Sequence, residues 1–174
     1  MIFLEGADNS GKTTLAKKMS KLLDIPFILG SPHPPRDSSV LDEWYKNLVH
    51  YGGLAVYDRC PMISEMVYGH VLRGHDVQQA QEALERLCIT HSPIFIYCRP
   101  SDSVLFDIKR LKFRPDETPE HIEEIKDKHF DIVKRYDSVM KTVSHFKYDY
   151  QENADLTEAI LRAFVMWKKR YLTR

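Results

Sequence analysis

Five short apolar runs alternate along the chain with longer stretches whose apolar residues recur every three or four positions. The runs are Ile2-Phe3-Leu4, Ile25-Pro26-Phe27-Ile28-Leu29, Leu54-Ala55-Val56-Tyr57, Pro93-Ile94-Phe95-Ile96-Tyr97-Cys98 and Phe146-Lys147-Tyr148-Asp149-Tyr150. Each reads as a strand, and the fourth is the clearest because nearly all of it is apolar and either β-branched or aromatic. Helical spacing predicts a first helix over 11–23, with Leu15, Met19, Leu22 and Leu23 facing the core and Lys17, Lys18 and Lys21 facing solvent. Further helices are predicted over 41–51, stopped by Gly52-Gly53, over 64–72 and 77–87, separated by Gly74, and over 101–111. Thr118-Pro119-Glu120 opens another that runs to Met140, and 156–171 closes the chain as an amphipathic helix. Strands alternating with helices imply an α/β fold: a five-stranded parallel sheet covered on both faces, three layers deep.

Two segments break the pattern. Ser31-Pro32-His33-Pro34-Pro35-Arg36 cannot be helical, because three prolines fix φ and remove donors. The stretch from Lys112 to Pro119 is interrupted by two more prolines. No repeat, low-complexity tract or linker divides the chain, so residues 1–174 are expected to form one domain.

Composition narrows the class. A chain of 174 residues with 43% hydrophobic and 29% charged content fits a globular domain with a substantial core. Twenty-five basic and 25 acidic residues give a net charge of zero, which argues against a nucleic acid polymer as partner. No apolar run approaches the ~20 residues of a membrane-spanning helix, so no membrane association is expected. The first strand begins at residue 2 and leaves no room for a signal peptide; a cytoplasmic setting is the expectation. Cys60, Cys88 and Cys98 form no paired framework and lack metal-ligand spacing, and they read as reduced thiols. The eight histidines make no zinc pattern.

Chemistry enters with Gly6-Ala7-Asp8-Asn9-Ser10-Gly11-Lys12-Thr13-Thr14, which is G-x-x-x-x-G-K-T where the first strand hands over to the first helix. Glycines let such a loop curl until backbone N–H groups face phosphate oxygens. The N-terminal end of the following helix adds positive potential. Gly6, Asp8, Asn9, Ser10, Gly11, Lys12, Thr13 and Thr14 are therefore expected to form an ATP site, with Lys12 on the β- and γ-phosphates and the Thr13 hydroxyl on magnesium. Mg2+ with ATP is the expected cofactor pair. The third strand delivers Asp58 and Arg59 to the same sheet edge, where ligands of open α/β sheets sit. Asp58 can hold magnesium through water or accept a proton, and Arg59 can grip an anionic acceptor. A local ion pair at a strand end is the alternative for both.

The opening Phe3-Leu4-Glu5-Gly6-Ala7-Asp8-Asn9-Ser10-Gly11-Lys12-Thr13-Thr14 resembles the F-x-E-G-x-D-x-x-G-K-T-T start of the thymidylate kinase and deoxynucleoside kinase group of P-loop kinases. Asp58-Arg59-Cys60-Pro61-Met62-Ile63-Ser64-Glu65-Met66-Val67-Tyr68-Gly69 is similar to that group's D-R-x-x-x-S-x-x-x-Y-G segments. Phe130-Asp131-Ile132-Val133-Lys134-Arg135-Tyr136 is similar to the helix that follows the thymidylate kinase lid. The resemblance implies a P-loop NTPase fold with a helical lid at about 109–120. It also implies ATP-dependent phosphorylation of a deoxynucleoside 5′-monophosphate, dTMP or another, to the diphosphate. Asp8 would then bind the sugar 3′-hydroxyl, or else cap nearby N–H groups. Arg59 would bind the acceptor phosphate, with Arg36 as a second phosphate ligand or merely an exposed loop arginine.

Some thymidylate kinases carry an arginine inside the phosphate loop, where this chain has Asn9 and Ser10. Positive charge for the transition state must then come from elsewhere, and Arg110 and Arg114 are the chosen lid cations, with Lys109 and Lys112 beside them. A solvated basic helix end is the alternative. Trp44, Tyr45, Met62 and Tyr68 lie where a base pocket would form, each also readable as core; Tyr68 is carried as an acceptor contact. A homodimer is compatible with the sequence. The closest rival is a deoxynucleoside kinase in which Asp58 is the general base on a 5′-hydroxyl. A GTPase-type switch is disfavoured by the absence of D-x-x-G and N-K-x-D motifs, and a polynucleotide end kinase by the zero net charge.

Overall fold

The structure, a computed structural model, describes residues 1–30, 46, 54–113, 115 and 117–152, together with 158, 160, 161, 164–166, 168 and 169. Strands β1 (Ile2–Glu5), β2 (Phe27–Leu29), β3 (Val56–Asp58), β4 (Ile94–Cys98) and β5 (Phe146–Tyr148) form one sheet in the order β2-β3-β1-β4-β5. Every pairing is parallel, and the register sets Leu4 beside Asp58 and Glu5 beside Tyr97. The α/β reading from the apolar runs therefore holds.

β1 lies at the centre and shows why the sheet needs cover on both faces. Its successive side chains point to opposite sides, yet all four are buried. Phe3 joins Met1, Tyr57, Phe95 and Tyr97 on one face, its ring 4.9 Å from Tyr57 and 5.4 Å from Phe95. Ile2 and Leu4 join Val56, Ile94, Ile96 and Cys98 on the other. That second face is closed by α1 (Lys12–Leu23) through Leu15, Ala16 and Met19, and by Ile160 and Phe164 of the closing segment. The first face is closed by α4 (Gln78–His91) and the long α6 (Pro119–Met140). Burying a side chain such as Phe3 contributes on the order of 1.5–3 kcal/mol.

Between β3 and α4 the chain forms α2 (Pro61–Ser64), a π-helical turn (Glu65–Gly69) and α3 (His70–Arg73), ended by Gly74 in the left-handed region at φ 63°. The helix thus starts three residues before the predicted one, at Pro61, which is suited to a first helical position. Arg135 of α6 donates through Nε to the Met66 carbonyl at 3.0 Å, satisfying an acceptor on the π turn.

The helix predicted over 101–111 is corrected. It shortens to α5 (Asp102–Leu105) and a 3-10 turn (Ile108–Arg110). An α-helix would pair the Leu105 carbonyl with the Lys109 N–H. Instead that carbonyl lies 2.6 Å from His129 Nε2, and the Lys109 N–H donates to the Asp107 carboxylate at 3.2 Å. The segment expected to act as lid opens with this 3-10 turn and ends at the cap of α6. There Thr118 accepts from the His121 N–H and Pro119 takes the first helical position, as read from the sequence.

The predicted helix over 41–51 lies outside the described residues except for Lys46, which is helical. No helix among the described residues is long and apolar enough to cross a membrane.

Candidate active site

The carboxyl ends of β1 and β3 are neighbours, so the segments leaving them share one sheet edge. After β1 the backbone turns at once. Gly6 has φ 140°, and a Cβ there would lie 2.4 Å from the Cys98 carbonyl oxygen, so no larger residue fits. Asn9 and Gly11 are also left-handed, at φ 66° and 83°, and α1 begins at Lys12. Positive φ at these three residues bends the loop tightly between β1 and α1.

Lys12 is buried within it and donates through Nζ to the Ala7 carbonyl at 2.8 Å and to Ser10 Oγ at 3.4 Å. Burial and the nearby Arg59 lower its pKa, partly countered by Asp8 and Asp58. The start of α1 places Thr13 beside the end of β3, and its hydroxyl donates to Asp58 Oδ2 at 2.5 Å. Two hard oxygens from separate elements thus meet at the mouth of the loop, which suits a magnesium ion completed by water and phosphate oxygens. No cluster of three metal-binding side chains occurs among the described residues, and a nucleotide-borne ion does not need one.

Arg59 follows Asp58 with φ 82°, a conformation few non-glycine residues adopt. Its backbone N–H donates to the Leu4 carbonyl at 3.0 Å. From there the guanidinium turns back across the phosphate loop. It donates to Asp8 Oδ1 at 2.7 Å, to the Gly6 carbonyl at 3.3 Å and to the Tyr136 hydroxyl at 2.6 Å. Tyr68, carried inward by the π turn, lies with its ring centroid 4.8 Å from the guanidinium carbon and donates to Asp8 Oδ2 at 3.2 Å. Three of the four predicted acceptor contacts, Asp8, Arg59 and Tyr68, therefore form one cluster.

The electrostatics of that cluster favour charged partners. Burial alone would raise the Asp8 pKa, but Arg59, Lys12 and the Tyr68 hydroxyl more than offset it and hold the carboxyl below its usual value. Burial would likewise lower that of Arg59, and Tyr136, Tyr68, Asp8 and Asp58 outweigh it, so the guanidinium stays charged. The pair remains within reach of ligand, with 28% of Asp8 and 20% of Arg59 side-chain surface exposed.

Arg110 stands apart from this cluster: it is exposed and paired with Asp107 at 3.0 Å. Lys112 is exposed as well. Arg36, Arg114, Trp44 and Tyr45 lie outside the described residues. Met62 is fully buried as core.

Three residues without an assigned role in the sequence reading also belong here. Tyr136 and His129 both lie on the buried stripe of α6 that includes Ile125, Ile132, Val133 and Met140. Periodicity marks that stripe as core, and only the polar ends of these two residues hinted at more. Glu5, the last residue of β1, is fully buried, and its Oε1 accepts the Cys60 N–H. Burial pushes its carboxyl up to about 8, against the lowering effects of that N–H, Arg59 and Lys12. A charged residue ending an apolar strand was the available signal.

No protein-family model matches the chain, and no curated protein matches it. Solved structures do. YorR from Bacillus subtilis, solved in complex with phosphorylated GDP, is 22% identical over 99% of this chain and 98% of its own, with a TM-score of 0.66. Deoxyadenosine kinase from M. mycoides with bound dCTP is 18% identical over 95% of this chain and all of its own, with a TM-score of 0.51. The same enzyme with dCMP and a flexible dCDP gives 17% identity, 95% and 98% coverage, and a TM-score of 0.55. The chain shares the fold of these proteins.

Proposed function

We propose that the chain is an ATP-dependent kinase that phosphorylates a deoxynucleoside 5′-monophosphate to the diphosphate. The observation that supports it is the arrangement of Asp8, Arg59 and Tyr68 beside the Thr13–Asp58 pair at one sheet edge. The phosphate loop takes the triphosphate of ATP, with Lys12 leaving the Ala7 carbonyl to reach the β- and γ-phosphates. Thr13 and Asp58 would hold magnesium, which neutralises charge on the transferring phosphoryl group.

Asp8 accepts from the sugar 3′-hydroxyl of the acceptor, a task suited to a group held ionised. Arg59 offers its fork to the acceptor phosphate, whose oxygens align with the γ-phosphate. Both residues are committed to one another in the structure, so acceptor binding exchanges their mutual ion pair for contacts with substrate. Arg110 and Arg114 of the lid supply the remaining positive charge on closure, which also keeps water from the γ-phosphate.

The likeness to a deoxyadenosine kinase favours a second reading, in which the acceptor is a nucleoside and Asp58 takes the proton from its 5′-hydroxyl. A screen separates the two: all deoxynucleoside monophosphates and the matching deoxynucleosides, each with ATP and magnesium, with ADP release as readout. Turnover with one or more monophosphates is the expected result. Activity on nucleosides alone would overturn the first reading in favour of the second.

A further inference from the structure

We infer that Glu5 is a positioning residue of the acceptor site: its carboxyl holds the turn from which Arg59 reaches Asp8. The inference rests on the reading of the Asp8–Arg59–Tyr68 cluster as acceptor-facing.

Three hydrogen bonds fix the chain as it leaves β3. The Asp58 carbonyl accepts the Gly30 N–H at 3.0 Å, the Arg59 N–H donates to the Leu4 carbonyl at 3.0 Å, and the Cys60 N–H donates to Glu5 Oε1. The first two are backbone pairs of the kind that continue a parallel ladder. The third uses a side chain, and it falls immediately after the residue that leaves the ladder with φ 82°. An arginine gains nothing locally from that left-handed conformation, so its surroundings must impose it. Glu5 holds the turn from the far side, one residue past the Leu4 carbonyl that holds it from the near side.

The second Glu5 oxygen, Oε2, is buried and has no hydrogen-bond partner among the described residues. A carboxyl this deep, with one oxygen unmatched, is an expensive way to satisfy a single amide. Leucine or methionine would fill the same space in an otherwise apolar strand end. What glutamate adds is the acceptor for the Cys60 amide, and with it a rigid link between the strand that starts the phosphate loop and the turn that aims Arg59. The guanidinium then crosses the loop to Gly6 and Asp8, one and three residues after Glu5 in sequence. Glu5 thereby sets the spacing between the donor loop and the acceptor-facing arginine.

The test compares Glu5→Gln, which keeps an oxygen for the Cys60 amide, with Glu5→Met, which keeps the volume and removes the oxygen. Binding of a fluorescent ATP analogue measures the donor side, and steady-state turnover of the best monophosphate measures the acceptor side. The expected result for Glu5→Met is an acceptor KM at least tenfold higher, with the ATP-analogue Kd changed less than threefold. Glu5→Gln should restore both to within about threefold of the parent. Loss of donor and acceptor affinity together in Glu5→Met would overturn the inference, as would equal defects in both variants or no defect in either.

A comparison of the parent with Glu5→Gln covers the case in which Glu5→Met does not fold. The Cys60 amide proton resonance should move on Glu5→Gln substitution, and an unmoved shift contradicts the inference. Lack of turnover with every monophosphate would instead remove the proposed reaction, while leaving the amide measurement intact.

Discussion

In the proposed reaction Asp8 and Arg59, an ion pair in the structure, would divide the acceptor between them, one facing a sugar hydroxyl and the other a phosphate. Replacing Arg59 with lysine keeps the charge but removes the planar fork that spans Asp8, Gly6 and Tyr136. The expected loss in kcat/KM for the acceptor is on the order of 100-fold, with ATP binding little changed. Steady-state kinetics check this, and an equal loss in ATP affinity would assign Arg59 to the donor instead. Asp8→Ala should erase the preference for a 2′-deoxy over a 2′,3′-dideoxy acceptor, measured as the ratio of their kcat/KM values. A parent protein that does not discriminate the two sugars would remove Asp8 from the proposed acceptor site.

Glu5 gives a pH signature in folding. Its carboxyl moves from an ordinary 4.5 to about 8 in the folded chain, so the folded state holds an extra proton between those values. Its contribution is fully present below pH 4.5 and is lost as pH rises towards 8. Glu5→Gln cannot ionise and escapes that loss. In urea melts its stability relative to the parent should therefore rise from pH 5 to pH 8, and a difference constant with pH would contradict the shift.

The elements explain how much of this was legible in the sequence. G-x-x-x-x-G-K-T and Asp58-Arg59 carry their chemistry in consecutive residues, and strand alternation places both on one edge. Tyr68 was carried as an acceptor contact also readable as core; it lies in the Glu65–Gly69 π turn and donates to Asp8, and no local pattern marks that turn. Tyr136, at the end of a motif quoted for its likeness, was given no role because periodicity reports burial, not the direction of a hydroxyl. The helix predicted past Leu105 failed for a similar reason. A distant histidine takes the carbonyl that helical propensity assigns to Lys109.

The π turn also carries its own prediction. A Cβ at Gly69 would lie 2.1 Å from Glu65 Oε1, where that carboxylate meets Arg73 and His75. Gly69→Ala should destabilise the chain by about 1–3 kcal/mol in chemical unfolding. It should also raise the acceptor KM by displacing Tyr68. A fully stable variant with unchanged kinetics would show that the turn does not set the tyrosine.

Across the whole molecule, a central strand buried on both faces carries the G-x-x-x-x-G-K-T loop at its end, and the Asp8–Arg59–Tyr68 cluster is held from the ends of β1 and β3, the π turn and α6 together. The proposed acceptor site thus draws on elements far apart in sequence but fixed by one sheet. Donor and acceptor should each stabilise the fold by mass action, about 2.7 kcal/mol at a concentration of 100 times Kd. The decisive experiment follows the label from [γ-32P]ATP, with magnesium and the preferred acceptor, and identifies the product by chromatography. Radioactivity in a deoxynucleoside diphosphate, in step with ADP, is the predicted outcome. Label found only in a deoxynucleoside monophosphate made from a nucleoside, or only in inorganic phosphate, would contradict it.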